Sequence, residues 1–325
     1  MRCKWCYGRT MNFSSREDMS LGTVIQAIKL FKELSLKNII LIGGEPTIHP
    51  QFLEIVGLIR EAGMRPVLVT NAVRLADKQF LRAALTAGID GITTSFKAGS
   101  GEQYRRLTGV DVFNDVMEAI ANIEESGVSH KISVTVCGSM FNEFDELLGA
   151  VVKSGAKRLA LDMERPVILN NEAQFSGSAS PQEMADFFCK IYPKVDTCGM
   201  KTTVKITLPF CLFPPAFIDE LANKKQLISG CQMFRGSGII LDTRGRLLPC
   251  NQFCDNPLGE MGGDFKTAEE FLLFRKKEDV RDFYAAVSSC PHEKCVNCSQ
   301  WKFCGGGCRI HWLYREASEL LGNNK

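Results

Sequence analysis

The sequence has no run of 18 apolar residues, which excludes a conventional membrane-spanning helix. It has almost no net charge: 39 Lys and Arg against 37 Asp and Glu leave a formal +2. Neither nucleic acid nor an acidic membrane surface is therefore an expected partner. No basic-then-apolar leader opens it; the chain starts MRCKWCYGRT, already inside a cysteine motif, and the expectation is a cytoplasmic protein. Histidine is scarce: His49, His130, His292 and His311 stand isolated, and only His292, within CPHEKC, falls near candidate metal ligands. Repeats and low-complexity segments are missing too. What remains is ordinary globular composition, 45% hydrophobic and 23% charged over 325 residues, enough for a large α/β domain with a smaller one.

Cysteine, by contrast, is abundant. Fourteen cysteines in a reducing compartment point to metal ligation or catalysis rather than to disulfides. Two sit at Cys3 and Cys6, four are scattered from Cys137 to Cys211, and eight fall between Cys231 and Cys308. Cys137, Cys189, Cys198 and Cys211 have no motif spacing and read as small buried hydrophobes.

Segments with one apolar helical face alternate with short, nearly continuous apolar runs. Helices are expected over 21–34, 52–62, 77–87, 113–126, 143–153 and 181–192, the last starting at Ser180-Pro181. On the first, Leu21, Val24, Ile25, Ile28 and Phe31 share one face; on the second, Phe52, Ile55, Val56 and Ile59 point inward. Strands are expected over 38–42, 66–70, 90–95, 132–136 and 158–162, each a nearly continuous apolar run, as when both sheet faces are covered. A further strand is expected at 202–208, before a Pro-rich turn (LPFCLFPP). Residues 163–180, with Asn-Asn and SGSAS, read as a loop. Such alternation means right-handed βαβ units and a parallel sheet, with sites at the carboxyl ends of the strands. Too few strands are present for a closed barrel, so the fold class is α/β, a partial (β/α)6 TIM-like barrel whose first strand is missing, followed by a small cysteine-rich domain. The expected divisions are a core at 1–170, a bridge at 171–230 and a C-terminal domain at 231–325.

A lone C-x-x-C such as Cys3–Cys6 is shared by redox, zinc and iron–sulfur sites. Here Tyr7 follows it, and the 38–42 strand runs into Gly43-Gly44-Glu45-Pro46-Thr47. RCKWCY and GGEPT together resemble the radical S-adenosylmethionine (SAM) superfamily, whose signature is C-x-x-x-C-x-x-C followed one βα unit later by GGE. The resemblance implies three thiolates holding a [4Fe–4S] cluster with one iron open to SAM, and a 5′-deoxyadenosyl radical as the reactive species. It places Cys3 and Cys6 on the cluster, and Tyr7, Gly43, Gly44, Glu45 and Pro46 around SAM. The glycines would allow close backbone approach, and Glu45 would accept from the SAM ammonium. By analogy Ser95 and Arg106, in QYRRLTG, would hold its carboxylate and ribose. The first signature cysteine falls before Met1, so the expectation is a chain that extends upstream. No residue is assigned a catalytic role.

In the C-terminal part, Cys231 is followed by Gly245 and Cys250, then by Cys295-x2-Cys298-x5-Cys304-x3-Cys308. GIILD and RLLPC around Thr243-Arg244-Gly245 read as a hairpin. Paired cysteine knuckles also suit zinc. The spacing is similar to the SPASM pattern of auxiliary iron–sulfur domains, and that resemblance implies one or two auxiliary clusters. It assigns Cys231, Cys250 and Cys308, with Cys254 as a candidate fourth ligand, to the first. Cys295, Cys298 and Cys304, with Cys290 in place of the family's final cysteine, go to the second. SPASM proteins act mainly on peptides and proteins. The sulfatase-modifying branch carries Asp after the second SPASM cysteine, where this chain has Asn251, which accepts no proton at neutral pH. The resulting expectation is a peptide-modifying oxidoreductase with a peptide or protein substrate and a cellular electron donor. The alternatives are a truncated or degenerate non-catalytic relative and a zinc-stabilised binding protein.

Overall fold

The computed structural model describes residues 1–3, 5–9, 18–169, 172–174, 179–236 and 238–321. Helix α1 (Leu21–Glu33) starts where the Ser20 hydroxyl accepts from the Thr23 amide, satisfying one of the unpaired N–H groups of the first turn. Four strand–helix units and a fifth strand follow: β1 (Asn38–Leu41), α2 (Phe52–Glu61), β2 (Arg65–Thr70), α3 (Lys78–Ala87), β3 (Gly91–Phe96), α4 (Gly101–Thr108), α5 (Phe113–Ser126), β4 (Ser129–Val136), α6 (Phe144–Lys153) and β5 (Arg158–Met163). A two-stranded ribbon, β6 (Val167–Leu169) and β7 (Glu172–Gln174), occupies the segment read as a loop; Asn170-Asn171 and residues 175–178 lie outside the described residues. Next come α7 (Pro181–Asp196), β8 (Lys201–Lys205), α8 (Pro215–Asn223) and β9 (Leu227–Ile228). Helix α7 opens on a capping box: Ser180 and Glu183 satisfy each other's backbone amides, with Pro181 in the first turn.

The strands form one seven-stranded sheet in the order β1-β2-β3-β4-β5-β8-β9, every neighbouring pair parallel. The sheet is open, with β1 and β9 as its edges, so the partial α/β barrel is what the chain forms. Beyond the expected strands it adds the short β9 at one edge. Both faces are not covered throughout: on edge strand β1, Ile40 is 60% exposed. Helix α1 also differs, because it buries Val24, Ala27 and Leu30 while Ile25 is exposed. The reason is a second neighbour. Ala27 and Leu30 pack against Leu247, Phe265, Phe271 and Phe274 from the C-terminal region, which turns the helix relative to its contact with α2. On α2, Phe52, Ile55, Val56 and Ile59 are all buried, each worth about 1.5–3 kcal/mol of transfer free energy.

The C-terminal region is built on a small antiparallel sheet of β10 (Ile240–Leu241), β11 (Arg246–Leu248) and β12 (Gly259–Glu260). Its first turn is held by buried Asp242, whose carboxylate accepts from the Arg244 and Arg246 amides and from Arg246 Nε at 2.6 Å. Cys295 and Cys304 lie on short helices, and a further one over Arg309–Tyr314 begins directly after Cys308. Among the described residues no helix is long and apolar enough to cross a membrane.

Candidate active site and cysteine groups

The N-terminal residues are part of the main core. The Arg2 amide donates to the Thr108 carbonyl at the end of α4 (2.7 Å), and Cys3 and Trp5 are buried in one cluster with Phe96 and Tyr104. The Cys6 amide donates to the Cys3 carbonyl (3.1 Å), a tight turn that keeps the two thiols on one short loop. Lys97, just past β3, places its ammonium 5.8 Å from the Trp5 ring centre. Burial pushes the Cys3 thiol up, and the charge of Lys97 pulls it back down. Lys97 was not singled out in the sequence; its place directly after a strand end was the available signal.

Glu45 follows β1 and lies at the carboxyl edge of the sheet. Its Oε1 accepts from the Thr47 amide (3.2 Å), the Thr47 hydroxyl (2.7 Å) and the Thr70 hydroxyl (2.6 Å), and its Oε2 accepts from the Asn71 amide (2.7 Å). The carboxylate thus ties the β1 loop to the end of β2, a structural duty that the motif alone does not reveal. Oε2, with a single donor, keeps acceptor capacity for a cation. Arg74 reinforces the loop by donating to the Thr47 carbonyl. Gly43 and Gly44 are exposed, and a Cβ on either would meet no atom of the protein within 4 Å. The fold itself does not require glycine there, which fits a backbone that a ligand must approach. Pro46 starts a short 3-10 turn, Pro46–Ile48.

Ser95 is half-buried near the end of β3, opposite Ser133 on β4. Arg106, on α4, forms a salt bridge with Glu143. Ser95 thus sits near the end of β3 and Arg106 on the helix that follows it, where the Arg106 guanidinium is engaged by a carboxylate that the sequence reading did not include.

Cys231, Cys250 and Cys308 come from three separate segments, and the structure sets their thiols within electrostatic reach of one another. Burial pushes Cys308 up to about 12, with Cys231 and Cys250 adding to the rise and Arg165 opposing it. Cys254 joins Cys250; its thiol donates to the Asn251 carbonyl at 2.8 Å. Thiols raised by burial and by neighbouring sulfurs, as Cys250, Cys254 and Cys308 are, are what a thiolate–metal site presents before loading. Two cations face this group. Arg165, after β5, donates to both carboxylate oxygens of Asp162 (2.7 and 2.6 Å), and Lys205, at the end of β8, lies 4.0 Å from Asp162. Arg165 and then burial push the Lys205 ammonium down. Tyr7 connects this group to the N-terminal loop: its hydroxyl is raised first by burial, then by Cys6, Cys254 and Cys250.

The second group gathers around Cys295, which burial raises to about 11 together with Cys304, Cys211, Cys290 and Cys298. Cys211 is the correction here: read from sequence as one of four cysteines without a pattern, it stands beside this group. Of the other three, Cys137 is buried with its sulfur 3.1 Å from the Ser139 hydroxyl, and Cys189 and Cys198 pack against the main core. His292 caps a helix by accepting from the Lys294 amide (3.2 Å). Between the two groups lies Arg309, 6% exposed, within reach of Cys231, Cys308, Cys295 and Cys290; its Nη1 is buried without a hydrogen-bond partner among the described residues. Among those residues no three His, Cys, Asp or Glu side chains have the compact spacing of a single-ion site.

The family model described as the radical SAM superfamily matches residues 1–163. The chain belongs to the radical SAM superfamily. Membership brings a [4Fe–4S] cluster and SAM as cofactors; Cys3 and Cys6 supply two of the signature's three thiolates, and the open glycines and the Glu45 carboxylate stand after β1 at the carboxyl edge of the sheet. A probable GTP 3′,8-cyclase of Saccharolobus islandicus (strain Y.N.15.51 / Yellowstone #2) is 34% identical over 263 residues, covering 78% of this radical SAM chain and 82% of that protein. A second, from Thermococcus kodakarensis, is 26% identical over 166 residues, 51% of this chain and 53% of the other. Among solved structures, native anSMEcpe with bound AdoMet superposes with a TM-score of 0.74 at 18% identity, covering 98% of this chain and 89% of that one. Streptococcus suis SuiB bound to S-adenosylmethionine gives 0.71 at 15% identity, covering 98% and 74%. These two likenesses concern the fold, and they extend through the C-terminal cysteine region.

Proposed function

We propose that this radical SAM enzyme modifies a peptide or protein substrate and carries auxiliary iron–sulfur clusters in residues 231–325, joined through 171–230 to a core at 1–170. The observation that carries the reading is the pair of thiol groups, Cys231/Cys250/Cys308 and Cys295/Cys298/Cys304, flanking Arg309. When bound, the cluster and SAM supply a 5′-deoxyadenosyl radical that abstracts hydrogen from the substrate. The chain's own part is positional. Cys3 and Cys6 hold the cluster, Glu45 orients the SAM ammonium through Oε2, and Lys97 offsets thiolate charge beside Cys3. Tyr7 keeps water out between the N-terminal loop and the Cys250 group. Cys231, Cys250 and Cys308 would hold an auxiliary cluster that supplies one-electron chemistry, and a cellular electron donor would supply the reducing electron. Support comes from the SPASM-like spacing and from the fold shared with anSMEcpe bound to a Kp18Cys peptide and with SuiB bound to its precursor peptide SuiA.

A second reading rests on the cyclase relatives. Arg165 and Lys205 form a cationic pair at the strand ends, chemistry suited to a nucleoside triphosphate. Reconstituted enzyme with SAM and dithionite, given either GTP or a synthetic peptide library, separates the two. The peptide reading expects 5′-deoxyadenosine release stimulated by peptide, with mass loss from a library member. Stimulation by GTP with its conversion to a cyclised product would overturn it.

A further inference from the structure

A thiol that no spacing rule connects to the C-terminal cysteines lies against them in the fold. Cys211 is the middle residue of the turn Phe210–Leu212, shortly after β8. Three backbone contacts dock this segment on the quartet. The Cys308 amide donates to the Thr207 carbonyl (2.7 Å), and the Phe210 amide donates to Cys304 Sγ (3.3 Å). Gly307 packs so closely that a Cβ there would fall 2.5 Å from the Thr207 carbonyl oxygen. Phe210 and Leu212, 6% and 2% exposed, anchor the turn in the main core, so packing sets the position of the residue between them. Cys211 itself is exposed and within electrostatic reach of both Cys295 and Cys304.

We propose that Cys211 is a ligand of the auxiliary cluster held by Cys295, Cys298 and Cys304, so that a thiolate from the α/β core and three from the C-terminal region share one metal centre. The proposal rests on the auxiliary-cluster reading above. Ligation replaces the Cys211 S–H bond with a bond from sulfur to iron, and the proton leaves to solvent; no oxidant or reductant is consumed. A structural consequence follows. Loading the cluster fastens the β8 loop to the C-terminal region, because Phe210 already donates to one of its sulfurs.

The test is iron, sulfide and zinc content of the anaerobically reconstituted full-length chain, with the electron paramagnetic resonance (EPR) spectrum of the reduced protein, for Cys211→Ala, Cys211→Ser, Cys290→Ala and Cys198→Ala. Cys211→Ala is expected to lose the iron of one cluster, about four atoms, while Cys290→Ala and Cys198→Ala keep theirs. Cys211→Ser, nearly isosteric, separates ligation from packing: it should keep iron through its oxygen but show an altered EPR signal. Full iron with unchanged spectra in both Cys211 variants overturns the proposal, as does loss of the cluster in Cys290→Ala alone. If the unsubstituted protein holds zinc at its C-terminal cysteines, the auxiliary-cluster reading fails and takes the proposal with it. That outcome is visible before any variant is made.

Discussion

Glu45 offers the sharpest separation of structural from ligand-binding duty. Glu45→Ala removes the acceptor for four donors at once, two of them hydroxyls on Thr47 and Thr70, which are 0% and 2% exposed. Of the two amides, that of Asn71 belongs to a half-buried residue that water can reach, so its loss is cheap, whereas that of Thr47 belongs to a fully buried one and adds to the cost. The two buried hydroxyls are bonded to a charged acceptor, where each bond contributes about 1.5 kcal/mol or more. The expected destabilisation is therefore about 3 kcal/mol, most of it at the β1–β2 junction. Glu45→Gln keeps one oxygen for the two threonines but aims an NH2 group at the Asn71 amide, and should cost about 1–2 kcal/mol. Urea unfolding of the metal-free protein, followed by circular dichroism, measures both without involving SAM. SAM affinity of the reconstituted protein should fall about tenfold or more in each variant, since both remove the negative charge facing the ammonium. An unfolding midpoint for Glu45→Ala within about 0.5 kcal/mol of the unsubstituted chain would refute the structural argument, whatever happens to SAM.

Gly307 has φ +75° and the Thr207 carbonyl against it, so Gly307→Ala should destabilise by about 2 kcal/mol or more, read as a lowered thermal midpoint. Arg309→Leu removes a buried cation between two thiolate groups, and redox titration should show auxiliary potentials lower by on the order of 60 mV. Acid should weaken the metal-free fold in a defined window. Burial holds His130 below its ordinary value despite the Glu124 hydrogen bond, and burial with the nearby Arg315 and Arg165 charges lowers His311 to about 3. The unfolded chain takes up these protons near pH 6.5, so the stability is complete above that pH and is lost as pH falls toward 3. His311 alone accounts for about 1.4 kcal/mol at pH 5.5, and a pH series of unfolding midpoints for His311→Leu should be flatter. Cys189→Ser and Cys198→Ser, remote from both thiol groups, should leave iron content unchanged.

Much of this architecture is written in local pattern. The strands and helices of the core follow the change between continuous apolar runs and the 3.6-residue apolar period, and α7 is announced by Ser180-Pro181. The turn at Asp242–Gly245 is equally local, because Asp242 bonds residues two and four positions away. What escaped the sequence is what depends on two distant segments meeting. Ile25 looks like an inward residue until the packing of α1 on Phe265 and Phe271 rotates the buried face toward Ala27 and Leu30. Helix α4 carries Arg106, but its composition is polar and its partner Glu143 comes 37 residues later, in the turn after β4. Cys211 has no sequence signal at all beyond its place after a strand, because its neighbours are set by how the β8 loop docks on Gly307. For Cys231, Cys250 and Cys308, spacing named a group that the fold assembles from three segments, since the hairpin between the first two is itself local.

The most direct test of the account is 5′-deoxyadenosine release from SAM by the anaerobically reconstituted full-length protein under dithionite, alongside its Cys3→Ala variant. The account predicts reductant-dependent release that Cys3→Ala abolishes while auxiliary iron is retained. Iron-replete protein that yields no 5′-deoxyadenosine, or release that survives Cys3→Ala, would contradict it.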